Sequence, residues 1–159
     1  MRTSSYYRLI LLIPVAILFT MSCGKDKLRS KPSIKLKSIS TRELDSQGNP
    51  FLVVEFDYAD KEGDIGNPYG LWLEKTRLNQ RITTQIGNDT FSLGVPEPVV
   101  PRTDGQIEAR IQAQDLFQAQ DPGNPAEPDS MNLRFVLRDA SGNTSDTLDV
   151  GMISVIRYR

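Results

Sequence analysis

The chain of 159 residues contains no histidine and only one cysteine, Cys23. Without histidine the protein lacks the commonest general base and the usual ligand of catalytic zinc. Serine and cysteine triads of the familiar kind are therefore excluded. A single cysteine also excludes a disulfide within the chain. No other residue set specifies a reaction, so the sequence predicts a protein that is not an enzyme.

No apolar run is long enough to span a bilayer comfortably, since a spanning helix needs about 20 apolar residues. The N-terminal run Leu9–Met21 follows a short segment that has two arginines and no acid, and it precedes the small residue Ser22. This order of positive, apolar and small residues is typical of a secretion signal. We therefore expect residues 1–22 to be removed as a signal peptide. The alternatives are an ordinary signal peptide cleaved elsewhere and an uncleaved membrane anchor.

The segment Phe19–Gly24 resembles the lipobox of bacterial lipoproteins, whose first mature cysteine carries lipid. Ser22 and Cys23 match this pattern, whereas Thr20 stands where a larger aliphatic residue is commoner. The resemblance implies that acyl chains such as palmitate on Cys23 anchor the protein, and two chains suffice for stable attachment. Gly24, where enteric lipoproteins kept at the inner membrane have aspartate, implies transport to the outer membrane.

Charge is unevenly distributed along the chain. The segment Lys25–Lys37 contains six basic residues and one acid, whereas residues 38–159 contain 19 acids and 11 basic residues. We interpret residues 23–33 as a lipidated cysteine followed by a basic tether that lies near anionic head groups. A solvated flexible linker is the alternative. The acidic remainder of the chain argues against nucleic-acid binding.

From residue 34 onward, apolar and polar residues alternate with a period of two, which is typical of half-buried strands. The predicted strands are Ile34–Lys37, Phe51–Tyr58, Tyr69–Lys75, Arg81–Ile86, Thr90–Leu93, Gln106–Gln114, Met131–Arg138 and Thr144–Arg157. No amphipathic helix is predicted, and Asp115–Ala119 allows one helical turn at most. Seven or eight short strands separated by turns predict an all-β fold, a single antiparallel immunoglobulin-like sandwich spanning residues 34–159. Gly151 is expected at a bulge or bend. Trp72 is expected on the face opposite Leu71 and Leu73, where it covers a sheet edge or loop rather than binding a ligand.

Two loops contain side chains that suit a metal ion. Asp60, Glu62 and Asp64 repeat every second residue in a loop with glycines, and Asp139 and Asn143 flank a short turn near the C-terminus. In an immunoglobulin-like sandwich these two loops lie at the same end. The five side chains would then converge on one Ca²⁺, which takes six to eight oxygen ligands. The alternative is that both loops are plain polar turns.

The segments Val54–Tyr58 and Glu62–Gly66, followed by Leu133–Asp139 and Gly142–Ser145, resemble a group of small Bacteroidota-type lipoproteins. The resemblance covers most of the chain after the tether. It implies an immunoglobulin-like sandwich at the outer membrane or cell surface, and it implies no catalytic residues. The chain departs from the group at Glu62, where a second aspartate is more usual.

Together these features predict a lipid-anchored protein of the bacterial cell envelope. Its expected role is that of a non-enzymatic module that binds or scaffolds another envelope component, either a protein or a glycan. Two alternatives remain open. One is a small hydrolase that acts on glycans with a pair of carboxylates, and the other is a purely structural envelope spacer.

Overall fold

The computed structural model describes residues 31–45, 47–79, 89–117 and 127–156. These residues form an all-β fold, as predicted, and they contain no α-helix. The strands are β1 (Ser33–Ile39), β2 (Glu43–Asp45), β3 (Phe51–Ala59), β4 (Asn67–Arg77), β5 (Thr90–Val95), β6 (Asp104–Gln112), β7 (Asp129–Leu137) and β8 (Leu148–Ile156), with a 3₁₀ helix at Ala113–Leu116. The predicted signal peptide, Cys23 and the predicted strand Arg81–Ile86 lie outside the described residues.

The strands form two sheets. The smaller sheet has the order β1-β3-β6, and the larger has the order β2-β8-β7-β4-β5. Every pairing is antiparallel except that of β2 with β8, where Leu44 lies opposite Val155 in a parallel register. The prediction of a purely antiparallel sandwich is therefore wrong at this edge. The strand β2 has only three residues, too few for an alternating pattern to reveal it.

The core lies between the two sheets and is built by side-chain alternation. Leu52, Val54 and Phe56 of β3 are fully buried, as are Leu133 and Phe135 of β7. The rings of Phe56 and Phe135 meet with their centroids 4.8 Å apart and an interplanar angle of 58°. Each such side chain stabilises the fold by about 1.5–3 kcal/mol on burial. The packed inner face therefore fixes the ends of the strands from which the loops extend.

Two predicted strands have different bounds in the structure. The predicted strand Gln106–Gln114 lies two residues too far along, because β6 ends at Gln112 and a 3₁₀ helix begins at Ala113. Ala113 is buried and so continues the alternation without continuing the strand. At the start of β8, the side chain of Ser145 accepts a hydrogen bond from the Leu137 amide at 2.9 Å. The Ser145 amide still donates to the Leu137 carbonyl at 2.8 Å, but the regular ladder, and with it the strand, begins only at Leu148.

Trp72 occupies a different position from the one expected. Its strand, β4, lies between β7 and β5, with Trp72 opposite Val136 and Ser92. The flanking residues Leu71 and Leu73 are buried, whereas Trp72 is 44% exposed. The indole therefore lies on the outer face of the larger sheet and not at a sheet edge, because successive side chains of a strand point to opposite faces.

Candidate metal centre

The first loop of the candidate site begins directly after β3. The amide of Asp60 donates to the carbonyl of Thr103 at 2.8 Å, which continues the pairing of β3 with the chain before β6. The loop then turns sharply at Gly63, whose φ is +67°. A side chain there would also meet the backbone of Arg102 at 3.3 Å. The turn brings Asp64 back, so that its amide donates to Asp60 Oδ2 at 3.0 Å.

The second loop is a closed turn between β7 and β8. The amide of Asp139 donates to the carbonyl of Asn143 at 3.0 Å. In return, the amide of Asn143 donates to Asp139 Oδ1 and its side-chain nitrogen donates to Asp139 Oδ2, both at 2.7 Å. Gly142 supplies the positive φ of +90° that the turn requires. The carboxylate of Asp139 is thereby held in one orientation, and it is fully buried.

Hydrogen bonds from the second loop to Asp64 tie the two loops together. The amide of Ala140 donates to the carbonyl of Asp64 at 3.1 Å. The amide of Ser141 donates to Asp64 Oδ2 at 3.1 Å, and the Ser141 hydroxyl donates to the same oxygen at 2.6 Å. These bonds fix the position of Asp64 relative to the 139–143 turn.

The result is a cluster of three carboxylates contributed by both loops. One oxygen from each of Asp60, Asp64 and Asp139 lies within 4.8 Å of the others. Asp60 is 2% exposed and Asp139 is 0% exposed. The Oδ1 atoms of Asp60 and Asp64 are buried and have no hydrogen-bond partner within the described part of the chain. Buried carboxylate oxygens normally have a partner, so these two atoms call for an explanation.

The burial and the negative charges of the cluster change the pKa of Asp60. Burial raises the pKa of Asp60 above its usual value, and the neighbouring carboxylates of Asp64 and Glu62 raise it further, against the lowering effect of the Asp64 amide. Both causes disfavour the ionised form. A bound cation would reverse them, because it would neutralise the repulsion and coordinate the oxygens that lack partners.

The other two predicted ligands have different surroundings. Glu62 is exposed and does not belong to the group of three, because the turn at Gly63 brings Asp64 but not Glu62 to the interior. The side-chain nitrogen of Asn143 donates to Asp139. Asn143 therefore orients a carboxylate in the way that the outer residues of metal sites do.

Sequence reasoning missed Ser141, which contributes two of the hydrogen bonds that hold Asp64. The only sequence signal for Ser141 is its hydroxyl group in a turn that faces an acidic loop. The cluster offers carboxylate oxygens alone, with no nitrogen or sulfur. Such a donor set suits hard cations such as Ca²⁺ and Mg²⁺.

Comparisons with protein-family models, with curated proteins and with solved structures found no match to this chain. Across the described ranges, the structure contains no helix with the length and apolar character needed to cross a membrane.

Proposed function

We propose that this protein is a lipid-anchored module of the bacterial cell envelope whose immunoglobulin-like sandwich is stabilised by Ca²⁺. In this role it binds or scaffolds another envelope component, a protein or a glycan, and catalyses no reaction. The calcium ion is held by Asp60, Asp64 and Asp139 at the end of the sandwich where two loops meet. It serves to hold these loops in a binding-competent shape.

One observation carries the metal proposal: in a cluster of three acids, two buried carboxylate oxygens have no hydrogen-bond partner among the residues that the structure describes. At 4.8 Å, the repulsion between two full charges is on the order of 3 kcal/mol at an effective dielectric constant of about 20. Plain polar turns would not require this arrangement, because turn carboxylates can point into water. A divalent cation offsets the repulsion, and bound water supplies the rest of its coordination shell.

The immunoglobulin-like assignment is supported by the order of the strands. The sheet β1-β3-β6 has the arrangement of strands A, B and E in such a sandwich. The sheet β2-β8-β7-β4-β5 corresponds to a short second A strand followed by G, F, C and C′. In this correspondence the two acidic loops are B–C and F–G, which form one end of the sandwich.

The proposed location depends on the N-terminal sequence. Residues 1–22 have the layout of a secretion signal, and Cys23 follows directly. A basic tether then separates the anchor from the acidic sandwich, which suits a protein at a membrane surface. By resemblance to Bacteroidota-type lipoproteins, this surface is the outer membrane or the outside of the cell.

A glycan hydrolase is the second candidate, and the raised pKa of Asp60 beside Asp64 favours it. General acids of glycosidases have raised pKa values of this kind. Against it, Asp60 and its neighbour Asp139 are almost completely buried. In a glycosidase, both catalytic carboxylates must be able to reach the glycosidic bond. Loss of a measured glycan hydrolysis in Asp60→Asn, with the fold intact, would establish the hydrolase instead.

The metal proposal is tested by the melting temperature of the purified protein in EDTA and in excess Ca²⁺. At a calcium concentration a hundredfold above Kd, binding stabilises the fold by about 2.7 kcal/mol. For a domain of this size the melting temperature should rise by roughly 10 °C. Mg²⁺ at the same concentration should have a smaller effect, because it gives up its own water shell reluctantly.

Asp60→Asn separates a metal site from a plain polar turn. The variant should lose the response to calcium, yet it should melt above the wild type in EDTA, because one buried charge is gone and its amide can donate to Asp64. The matched control is Asp57→Asn, which alters an exposed acid on β3 and should keep the full calcium response. No calcium shift in the wild type would end the metal proposal.

A further inference from the structure

A cavity of about 400 Å³ opens on the outer face of the larger sheet. This outer-face cavity is lined by residues of β4, β5, β7 and the chain between β7 and β8. The lining residues that bear on binding are Trp72, Arg134, Val136, Arg138, Thr144 and Thr147. Gly142 also lines the cavity and belongs to the turn that carries Asp139, so the cavity adjoins the metal centre without including its carboxylates. The volume lies within the range of small-ligand sites.

Trp72 gives the cavity a flat apolar surface. It is the only tryptophan of the chain, and it lies opposite Val136 on β4, one strand in from the edge of the sheet, with 44% of its surface exposed. A half-exposed indole beside polar groups is a common feature of binding sites, because it offers a large rigid contact area.

The two arginines of the cavity differ in their pairing. The guanidinium of Arg134 lies 3.8 Å from Glu74 and 3.7 Å from Asp149, so nearby acids balance its charge. Arg138 is exposed, and among the described residues it makes no ion pair and no side-chain hydrogen bond. Its guanidinium lies over Gly142, where an added Cβ would meet one terminal nitrogen at 3.5 Å. A side chain on Gly142 would therefore narrow the space beside Arg138.

We propose that this cavity binds a sugar ring that carries a carboxylate or a sulfate. The apolar C–H face of the ring packs on Trp72, and the acidic group pairs with Arg138, whose planar guanidinium matches such anions. The exposed hydroxyls of Thr144 and Thr147 are within the same cavity and are available to the hydroxyls of the sugar. The inference rests on the proposed binding function and names the ligand class and the site.

Three probes test the proposal on the full-length lipoprotein purified in detergent. They are trigalacturonic acid, its methyl ester, which has the same rings without charge, and the sulfated disaccharide of chondroitin. Fluorescence of the single tryptophan reports on the cavity directly, and calorimetry gives Kd. We expect both acidic sugars to shift the emission of Trp72 to shorter wavelength. The ester should bind about tenfold more weakly, since it cannot make the charged hydrogen bonds.

Variants identify the side chains responsible. Arg138→Gln should weaken binding of the acidic sugars by about tenfold and leave binding of the ester unchanged. Trp72→Ala should weaken binding of all three probes. The matched control is Tyr69→Ala, because Tyr69 is an aromatic residue of the same strand that is 64% exposed but lies outside the cavity.

Four outcomes would overturn the inference. The first two are no binding of any probe up to about 10 mM and equal affinity for the acid and the ester. The other two are equal losses of affinity in Arg138→Gln and Tyr69→Ala, and self-association through the Trp72 face in sedimentation experiments. The sugar-binding test and the calcium test have separate readouts. A protein that binds none of the probes but melts at a higher temperature with calcium would remove the cavity proposal and leave the metal proposal standing.

Discussion

Lys75 shows how one buried charge is accommodated at the scale of a residue. It follows Leu71 and Leu73 on the inward face of β4 and is only 2% exposed. Its ammonium group donates to the carbonyls of Asp115 at 3.0 Å and Phe117 at 3.1 Å. These carbonyls lie at the C-terminal end of the 3₁₀ helix, where carbonyls have no donor within the helix itself. Lys75 therefore links the larger sheet to the chain that leaves β6.

We expect Lys75→Met to lower the free energy of unfolding by about 1–3 kcal/mol at neutral pH, because two carbonyls lose their donor.

Burial lowers the pKa of Lys75 below its usual value. Between the lowered folded pKa and the usual value, the unfolded chain binds more protons, so stability contributed by this residue rises with pH in that window. Urea unfolding from neutral to alkaline pH should show this rise in the wild type and not in Lys75→Met. Parallel curves for the two proteins would contradict it, and Lys61→Met, which alters an exposed lysine, should behave as wild type.

At the scale of an element, β8 contains the bulge expected at Gly151. Leu133 pairs with Gly151 and Arg134 with Asp149, so that Val150 is the extra residue. Gly151 has a φ of +85°, and its amide donates to Asp149 Oδ1 at 2.7 Å. The guanidinium of Arg42 donates to the Val150 carbonyl at 2.8 Å, which satisfies a group that the bulge removes from the ladder.

Gly151→Ala should lower the free energy of unfolding by about 1–2 kcal/mol, because a Cβ is strained at positive φ. The added carbon would also meet the guanidinium of Arg42 at 3.1 Å. Gly94→Ala is the matched control, since its nearest neighbour would be the Pro68 carbonyl at an ordinary 3.4 Å and it has no positive φ. Chemical denaturation measures both variants. Equal stability of the two would mean that the bulge tolerates alanine.

At the scale of the whole molecule, the proposed role depends on attachment of the sandwich to a membrane. β1 begins at Ser33, close behind the predicted tether, and Lys31 forms an ion pair with Asp146 in the segment before β8. This pair is exposed and contributes little to stability. It does mark where the chain that leads from Cys23 reaches the folded sheets.

Cys23→Ala should abolish incorporation of radiolabelled palmitate and release the protein from the membrane fraction, because in the proposed role acyl chains on Cys23 are the anchor. Protease treatment of intact cells then shows whether the wild-type sandwich is exposed at the surface. A control variant, Ser22→Ala, keeps a small residue before the cysteine and should be labelled normally. Wild-type protein that is free of acyl chains and released into the medium would contradict the anchor.

The sequence by itself determined where most of the strands lie and which faces of β3 and β7 are buried, although it missed β2 and misplaced the bounds of β6 and β8. The alternation of Leu52, Val54 and Phe56, and that of Leu133 and Phe135, needs no knowledge of partners, because side-chain direction repeats every two residues within a strand. The sequence also predicts that the two acidic loops supply the ligands of a metal ion. Positions 60, 62 and 64 are equivalent in this prediction, because their spacing does not indicate the turn at Gly63.

Only the tertiary structure decided how these pieces combine. The parallel pairing of β2 with β8, the burial of Asp139 next to Asp60 and Asp64, and the cavity beside Trp72 all join residues far apart in the chain. Local periodicity cannot encode such contacts, because they depend on the register and packing of sheets whose strands are distant in sequence. The same acidic loop on another scaffold would be an ordinary polar turn. Here its burial against a second loop leaves two carboxylate oxygens without a hydrogen-bond partner among the described residues, and the proposed cation would coordinate them.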